Sequence, residues 1–173
     1  LLDLSRPSKL HLTALNIHEI LAHVLFVENQ AISSGKVVVD KNFDPSLPPV
    51  LGDRDRLIQV FLNLVKNSLQ AMNGEGRLTI TTRMETAYHI REVGSSEGKF
   101  IRVEIKDNGP GIKKEHLSHI FSPFFTTKNR GTGLGLATCH RIIKEHGGFI
   151  GVETFEGEGA AFRVSLGVAH ETP

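Results

Sequence analysis

Cysteine is nearly missing from this chain: Cys139 is the only one in 173 residues. A single thiol excludes an internal disulfide and suits a reducing compartment. It sits in an apolar helical stretch, where a small buried residue is the plain reading. Charge of one sign is lacking too. Twenty Lys and Arg stand against nineteen Asp and Glu, a net charge of +1. No global basic field therefore points to nucleic acid, and no acidic excess points to a solvating tail. No apolar run approaches the roughly 18 residues a membrane helix needs, and no signal peptide is visible. Internal repeats and low-complexity tracts are absent. What is present, 39% hydrophobic and 23% charged residues, reads as one soluble globular domain able to bury a core.

Along the chain, residues 1–7 read as the last turn of a helix stopped by Pro7. Asn16 is a candidate cap, with Glu19 at the capping-box position, for a helix carrying Ile17, Ile20, Leu21, Val24 and Leu25 on one face. Gly35 closes that element, and residues 36–40 read as a short strand. Asp53 then caps a helix with two faces. Ile58, Phe61, Leu62, Val65, Leu69 and Met72 form the expected core stripe, and Gln59, Asn63, Lys66, Asn67 and Gln70 a polar one. Beyond the turn 73–76 lie strands at 77–83 and 99–107, joined by a long polar connection. A helix running to His146, stopped by Gly147 and Gly148, precedes a strand pair at 149–155 and 161–166. This order predicts an α/β protein, a mixed sheet covered by helices on one face.

The stretch around which the chain is organised holds two glycine clusters, Asp107-Asn-Gly-Pro-Gly-Ile112 and Gly131-Thr-Gly-Leu-Gly-Leu-Ala137. Glycines grouped this way permit positive φ or close approach to a ligand, and a helix N-terminus offers unpaired N–H groups to an anion. A phosphate-bearing ligand between the clusters is the working reading. The spacing is neither that of a dinucleotide-binding fingerprint nor that of a P-loop. The nine histidines show no zinc spacing with partner ligands; His116 and His119, three apart, read as an exposed helix face.

Four motifs in order carry a resemblance: Asn63-Leu-Val-Lys-Asn67, Asp107-Asn-Gly-Pro-Gly-Ile112, Phe121-Ser-Pro-Phe-Phe-Thr-Thr-Lys128 and Gly131-Thr-Gly-Leu-Gly-Leu-Ala137. Together they resemble the ATP-binding catalytic domain of sensor histidine kinases, nitrogen-regulation-like members of the gyrase/histidine-kinase/MutL-type ATPase superfamily. The resemblance spans about residues 10–166 and implies a two-layer α/β sandwich of the Bergerat type. It implies ATP and Mg2+ as ligands, with Asp107 accepting from the adenine amine and Gly109, Gly111 and Ile112 around the base. Asn67 would ligate the metal through its amide oxygen, with Asn63 one turn away. Gly131, Thr132, Gly133, Leu134 and Gly135 would cradle the phosphates. Thr126, Thr127, Lys128 and Arg130 would belong to a lid over about residues 126–132, with Lys128 and Arg130 as candidate phosphate partners. Asn63, Asn67 and Lys128 are the residues expected to serve catalysis.

Two departures from the superfamily shape the expected reaction. Asn63 stands where hydrolysing relatives carry a glutamate base, and an amide cannot take a proton from water, which favours transfer over hydrolysis. His18-Glu19-Ile20 opens like the family's phospho-acceptor segment but continues Leu21-Ala22-His23, so His18 reads as a helix residue. The resemblance then implies residues 1–9 as a remnant of the dimerisation helix and linker, 10–168 as the catalytic domain and 169–173 as a tail. Its partners would be the histidine-bearing dimerisation domain of the same protein and a response regulator receiver domain. No nucleic acid or membrane contact is expected of this domain, which should be a cytoplasmic monomer even if its parent is membrane-anchored. A serine kinase of the anti-sigma-factor type, a non-catalytic nucleotide-sensing module and a gyrase-like ATPase remain open alternatives.

Overall fold

In the computed structural model, described for residues 9–86, 98–127 and 131–170, a five-stranded mixed sheet carries helices on one face. The elements are β1 (Thr13–Leu15), α1 (Ile17–Val27), α2 (Asn29–Ser34), β2 (Lys36–Phe43), β3 (Val50–Gly52) and α3 (Arg54–Ala71). They continue with β4 (Glu75–Thr86), β5 (Lys99–Asp107), α4 (Gly135–Glu145), β6 (Phe149–Phe155) and β7 (Gly159–Gly167). The sheet order is β2-β4-β5-β7-β6, parallel only between β2 and β4, whose connection carries α3. Alternation along the central strands decides which face is covered. Leu78 and Ile80 on β4, Ile101, Val103 and Ile105 on β5, and Val164 and Leu166 on β7 are fully buried beneath the helices. On the opposite face, Arg102 pairs with Glu85, and Arg163 with both Glu104 and Glu153.

Local chemistry explains where the helices begin. Asn16 accepts from the His18 N–H at 3.0 Å, and Asp53 accepts from the Arg56 N–H at 3.3 Å. Asp53 also accepts from the His11 N–H, and with the Arg56 bond this holds its carboxyl below the usual range. The end of α4 is tied to the start of α3. His146 Nδ1 bonds the Ile142 carbonyl at 2.8 Å, while Nε2 accepts from the Asp53 N–H at 3.0 Å. His18 lies half-buried in the first turn of α1, stacked on Phe43 with ring centroids 4.7 Å apart and hydrogen-bonded to Thr82. Burial there pushes its pKa down, partly offset by Asp44. It is the helix residue its sequence setting indicates.

The burial of α3 differs from the expected stripe. Leu57, Val60 and Leu64 are fully buried along with Phe61 and Val65, whereas Ile58 and Leu62 are only half-buried at the edge of the core. The helix packs on β4 and β5 beneath it and against α1 and α4 on either side, so its apolar arc is wider than one stripe and rotated from it. Two strands were not foreseen. β1 and β3 form a separate antiparallel pair, joined to the chain's end by a bridge between Val50 and Val168. Among the described residues, no helix is long and apolar enough to cross a membrane.

Candidate functional site

The asparagine segment and the two glycine segments meet along α3. Near its middle, the Asn63 side-chain amide donates to the Gly135 carbonyl at 3.4 Å, joining the asparagine segment to the first turn of α4. Near its end, the Ala71 carbonyl lies 3.0 Å from where a Cβ on Gly109 would stand, so the first glycine loop closes against the same helix. Asn67, half-buried, lies in the turn between these two points. Asp107 and Gly109 thus lie by the end of α3, and Gly135 by its middle at Asn63, about two helical turns apart.

Asp107 ends β5 as a carboxylate that is only 2% exposed. Its Oδ1 accepts from the Gly109 N–H at 2.9 Å and the Ala160 N–H at 3.4 Å. Burial raises its pKa above the usual carboxylate range, and these two bonds pull the other way without cancelling it. Ser68, one residue after Asn67, adds a smaller downward pull. Its buried hydroxyl makes no hydrogen bond of normal geometry. An acceptor-only carboxylate fixed at a strand end, beside a hydroxyl with capacity to spare, suits a ligand that presents a hydrogen-bond donor.

The second glycine segment is shaped by the phenylalanine segment. Phe121 and Phe125 pack against the core, and their rings contact His140 and both His116 and His119 respectively. His116 is therefore half-buried and lies in a short 3-10 turn, while His119 is exposed as expected. Phe124 differs from its neighbours: it is 68% exposed and holds a φ of +67°, a rare conformation for a bulky residue. Its N–H donates to the Gly133 carbonyl at 2.9 Å. A Cβ on Gly133, itself at φ +70°, would meet the Phe124 carbonyl carbon at 2.3 Å, so only glycine fits there. The Thr132 hydroxyl accepts from the Leu134 N–H, and α4 starts at Gly135. Gly131 and Thr132, like Thr126 and Thr127, are exposed. Lys128 and Arg130 lie outside the described residues.

Residues 52–170 match the family of histidine kinase-, DNA gyrase B- and HSP90-like ATPases. The chain belongs to this family. The sensory histidine kinase/phosphatase NtrB of Rhodobacter capsulatus is 42% identical over 155 residues, 89% of this chain but 43% of the relative. The catalytic domain of histidine kinase ThkA superposes with a TM-score of 0.76 at 34% identity, covering 91% of this chain and 95% of that one. ThkA in complex with response regulator protein TrrA aligns with a TM-score of 0.74 at 31% identity, over 92% of this chain and 42% of that one. This is thus a histidine-kinase-type ATP-binding catalytic domain, and it spans about two fifths of the NtrB relative's length.

Within this ATPase domain, three participants have no warning in the sequence. Ser68 reads as an ordinary helix residue, and its closeness to Asp107 depends on α3 crossing the end of β5. Thr154 and the Ala160 N–H reach the first glycine loop from the β6–β7 hairpin, more than forty residues away. Cys139 is buried and donates to the Val60 carbonyl; burial pushes its thiol up to about 12, which removes it from nucleophilic chemistry.

Proposed function

We propose that this domain binds Mg-ATP in the cleft between α3 and α4, and that within its parent protein it donates the γ-phosphoryl to a histidine. The acceptor is a histidine on a helical dimerisation domain, from which a response regulator receiver domain takes the group. Residues 10–168 form the catalytic unit in this reading. It works on the cytoplasmic side, where ATP is available, as a monomer when separated from the dimerisation domain.

The observation that carries the reading is Asp107, buried at a strand end with both backbone bonds converging on Oδ1. Oδ2 is then the acceptor for the exocyclic amine of adenine, where guanine would present a carbonyl oxygen and be repelled. Gly109, Gly111 and Ile112 border the base. The phosphates extend toward the start of α4, where Gly131, Thr132, Gly133, Leu134 and Gly135 supply backbone N–H groups. Thr126 and Thr127 border the same end, and Lys128 is the proposed phosphate partner. Among the described residues no cluster of His, Cys, Asp and Glu suits a metal. The fitting donor is the Asn67 amide oxygen, a hard ligand that leaves Mg2+ to take its other partners from phosphates and water. When bound, Mg2+ offsets charge on the triphosphate. Asn63 holds the start of α4 through Gly135 and offers no base for water. Positioning and charge stabilisation, which this arrangement supplies, are most of what phosphoryl transfer requires.

Calorimetric titration with ADP and a non-hydrolysable ATP analogue, with and without Mg2+, tests the site, with GTP as control. Saturable binding that Mg2+ strengthens and GTP does not share is expected, and Asn67→Ala should abolish the Mg2+ effect. Absence of saturable binding, or equal binding of GTP, overturns the assignment.

A further inference from the structure

The β6–β7 hairpin grips the first glycine loop at several points. The Thr154 hydroxyl accepts from the Ile112 N–H at 2.9 Å and donates to the Gly159 carbonyl at 2.9 Å. The Gly157 N–H donates to the Pro110 carbonyl at 2.7 Å, and the Ala160 N–H reaches Asp107 Oδ1. The approach is close enough to forbid side chains. A Cβ on Gly111, at φ +77°, would lie 2.5 Å from the Phe155 carbonyl oxygen and 2.9 Å from Thr154 Oγ1. One on Gly159, at φ +96°, would lie 2.0 Å from the Asp107 carbonyl oxygen. These glycines are therefore required by contact of the loop with the hairpin, before any ligand is considered.

Among the described residues, Thr154 is the hairpin side chain that joins the two backbones. A hydroxyl has one proton to give, and here an N–H faces it from one side and a carbonyl from the other, so each role is assigned. Bonding Ile112 fixes the end of the loop. Bonding Gly159 orients the Gly159–Ala160 peptide, whose N–H holds Asp107 Oδ1 and so leaves Oδ2 for the ligand. We propose that Thr154 is a positioning residue for nucleotide recognition, setting adenine selectivity through Ile112 and Asp107 without touching the base. The inference rests on the adenine reading of the site above.

The test uses the whole chain and three proteins: wild type, Thr154→Val, which keeps the shape and loses the hydroxyl, and Thr154→Ser, which keeps the hydroxyl. Each is titrated with ADP and GDP and melted without ligand. Thr154→Val should bind ADP about five- to tenfold more weakly, the scale of one hydrogen bond. Its preference for ADP over GDP should narrow, and Thr154→Ser should restore both. If Thr154→Val does not fold, Thr154→Cys, a weak donor and acceptor of similar size, takes its place with the same expected order. ADP affinity and selectivity unchanged in the Val or Cys variant overturn the proposal. So does a loss that Ser does not rescue. Failure of the wild type to bind ADP overturns the adenine reading itself, and the proposal with it.

Discussion

Asp107 is held where its charge is disfavoured, and the cost of that can be separated from its use. Burial raises its pKa in the folded chain above the roughly 3.9 of an unfolded aspartate, so at neutral pH the ionised group opposes folding. The opposition is relieved as pH falls through the raised pKa. Asp107→Asn removes it at any pH, keeps an oxygen for the Gly109 and Ala160 N–H groups, and offers its amide hydrogens to the orphaned Ser68 hydroxyl. Without ligand, its melting temperature should therefore equal or exceed wild type. Affinity for an ATP analogue should fall by about tenfold or more, the scale of a hydrogen bond to a charged group, and GTP should gain ground, since an amide can donate to a guanine carbonyl. A melting temperature well below wild type would mean the carboxylate is structural. Residues such as Asp107 and Asn63 were legible because each belongs to a spaced motif. Ser68 and Thr154 were not, since a lone hydroxyl carries no pattern and the Thr154 bond to Ile112 joins residues 42 apart.

α3 supplies both the core and one wall of the cleft, so its two faces should respond differently to substitution. Phe61 is fully buried at the centre of the helix, and Phe61→Ala should cost about 3–5 kcal/mol through lost burial and the cavity left behind. Ile58, half-buried at the core's edge, should cost clearly less when cut to alanine, although the expected stripe gave both residues equal standing. Denaturant unfolding of the two variants measures the difference, and equal losses would contradict the rotated face. The sequence exposed the helix itself because its caps and periodicity are local. Its true buried arc depends on α1 and α4 lying to either side, which no local pattern encodes. The same reason hid β1, three residues without alternation whose pairing with β3 lies across the whole of α1 and β2. β5 was legible to its ends because alternating burial there coincides with alternating residue type, and β6 because glycines bound it on both sides.

For the molecule as a whole, the proposed reading separates holding ATP from spending it. Asp107, Asn67 and the glycine segments would position the nucleotide, while Asn63, whose amide is bound to the Gly135 carbonyl, stands where the resemblance places a carboxylate base in hydrolysing relatives. Water in this cleft has no group to take its proton from that position. On the proposed reading, a histidine imidazole brought by another domain would bring its own nucleophile, and the chemistry would wait on the geometry of docking. The chain spans about two fifths of the NtrB relative's length. Incubated alone with labelled Mg-ATP, this chain should release phosphate slowly and label itself little, His18 included, because that ring is stacked on Phe43 away from the cleft. Addition of the parent's histidine-bearing helical domain should produce an acid-labile, base-stable phosphoprotein on the added domain. Asn67→Ala should abolish the signal, and Asn63→Glu should shift the balance toward free phosphate. Rapid turnover by the unmodified chain would point to a hydrolytic ATPase. An acid-stable phosphate on serine of a partner would point to a serine kinase built on the same cleft.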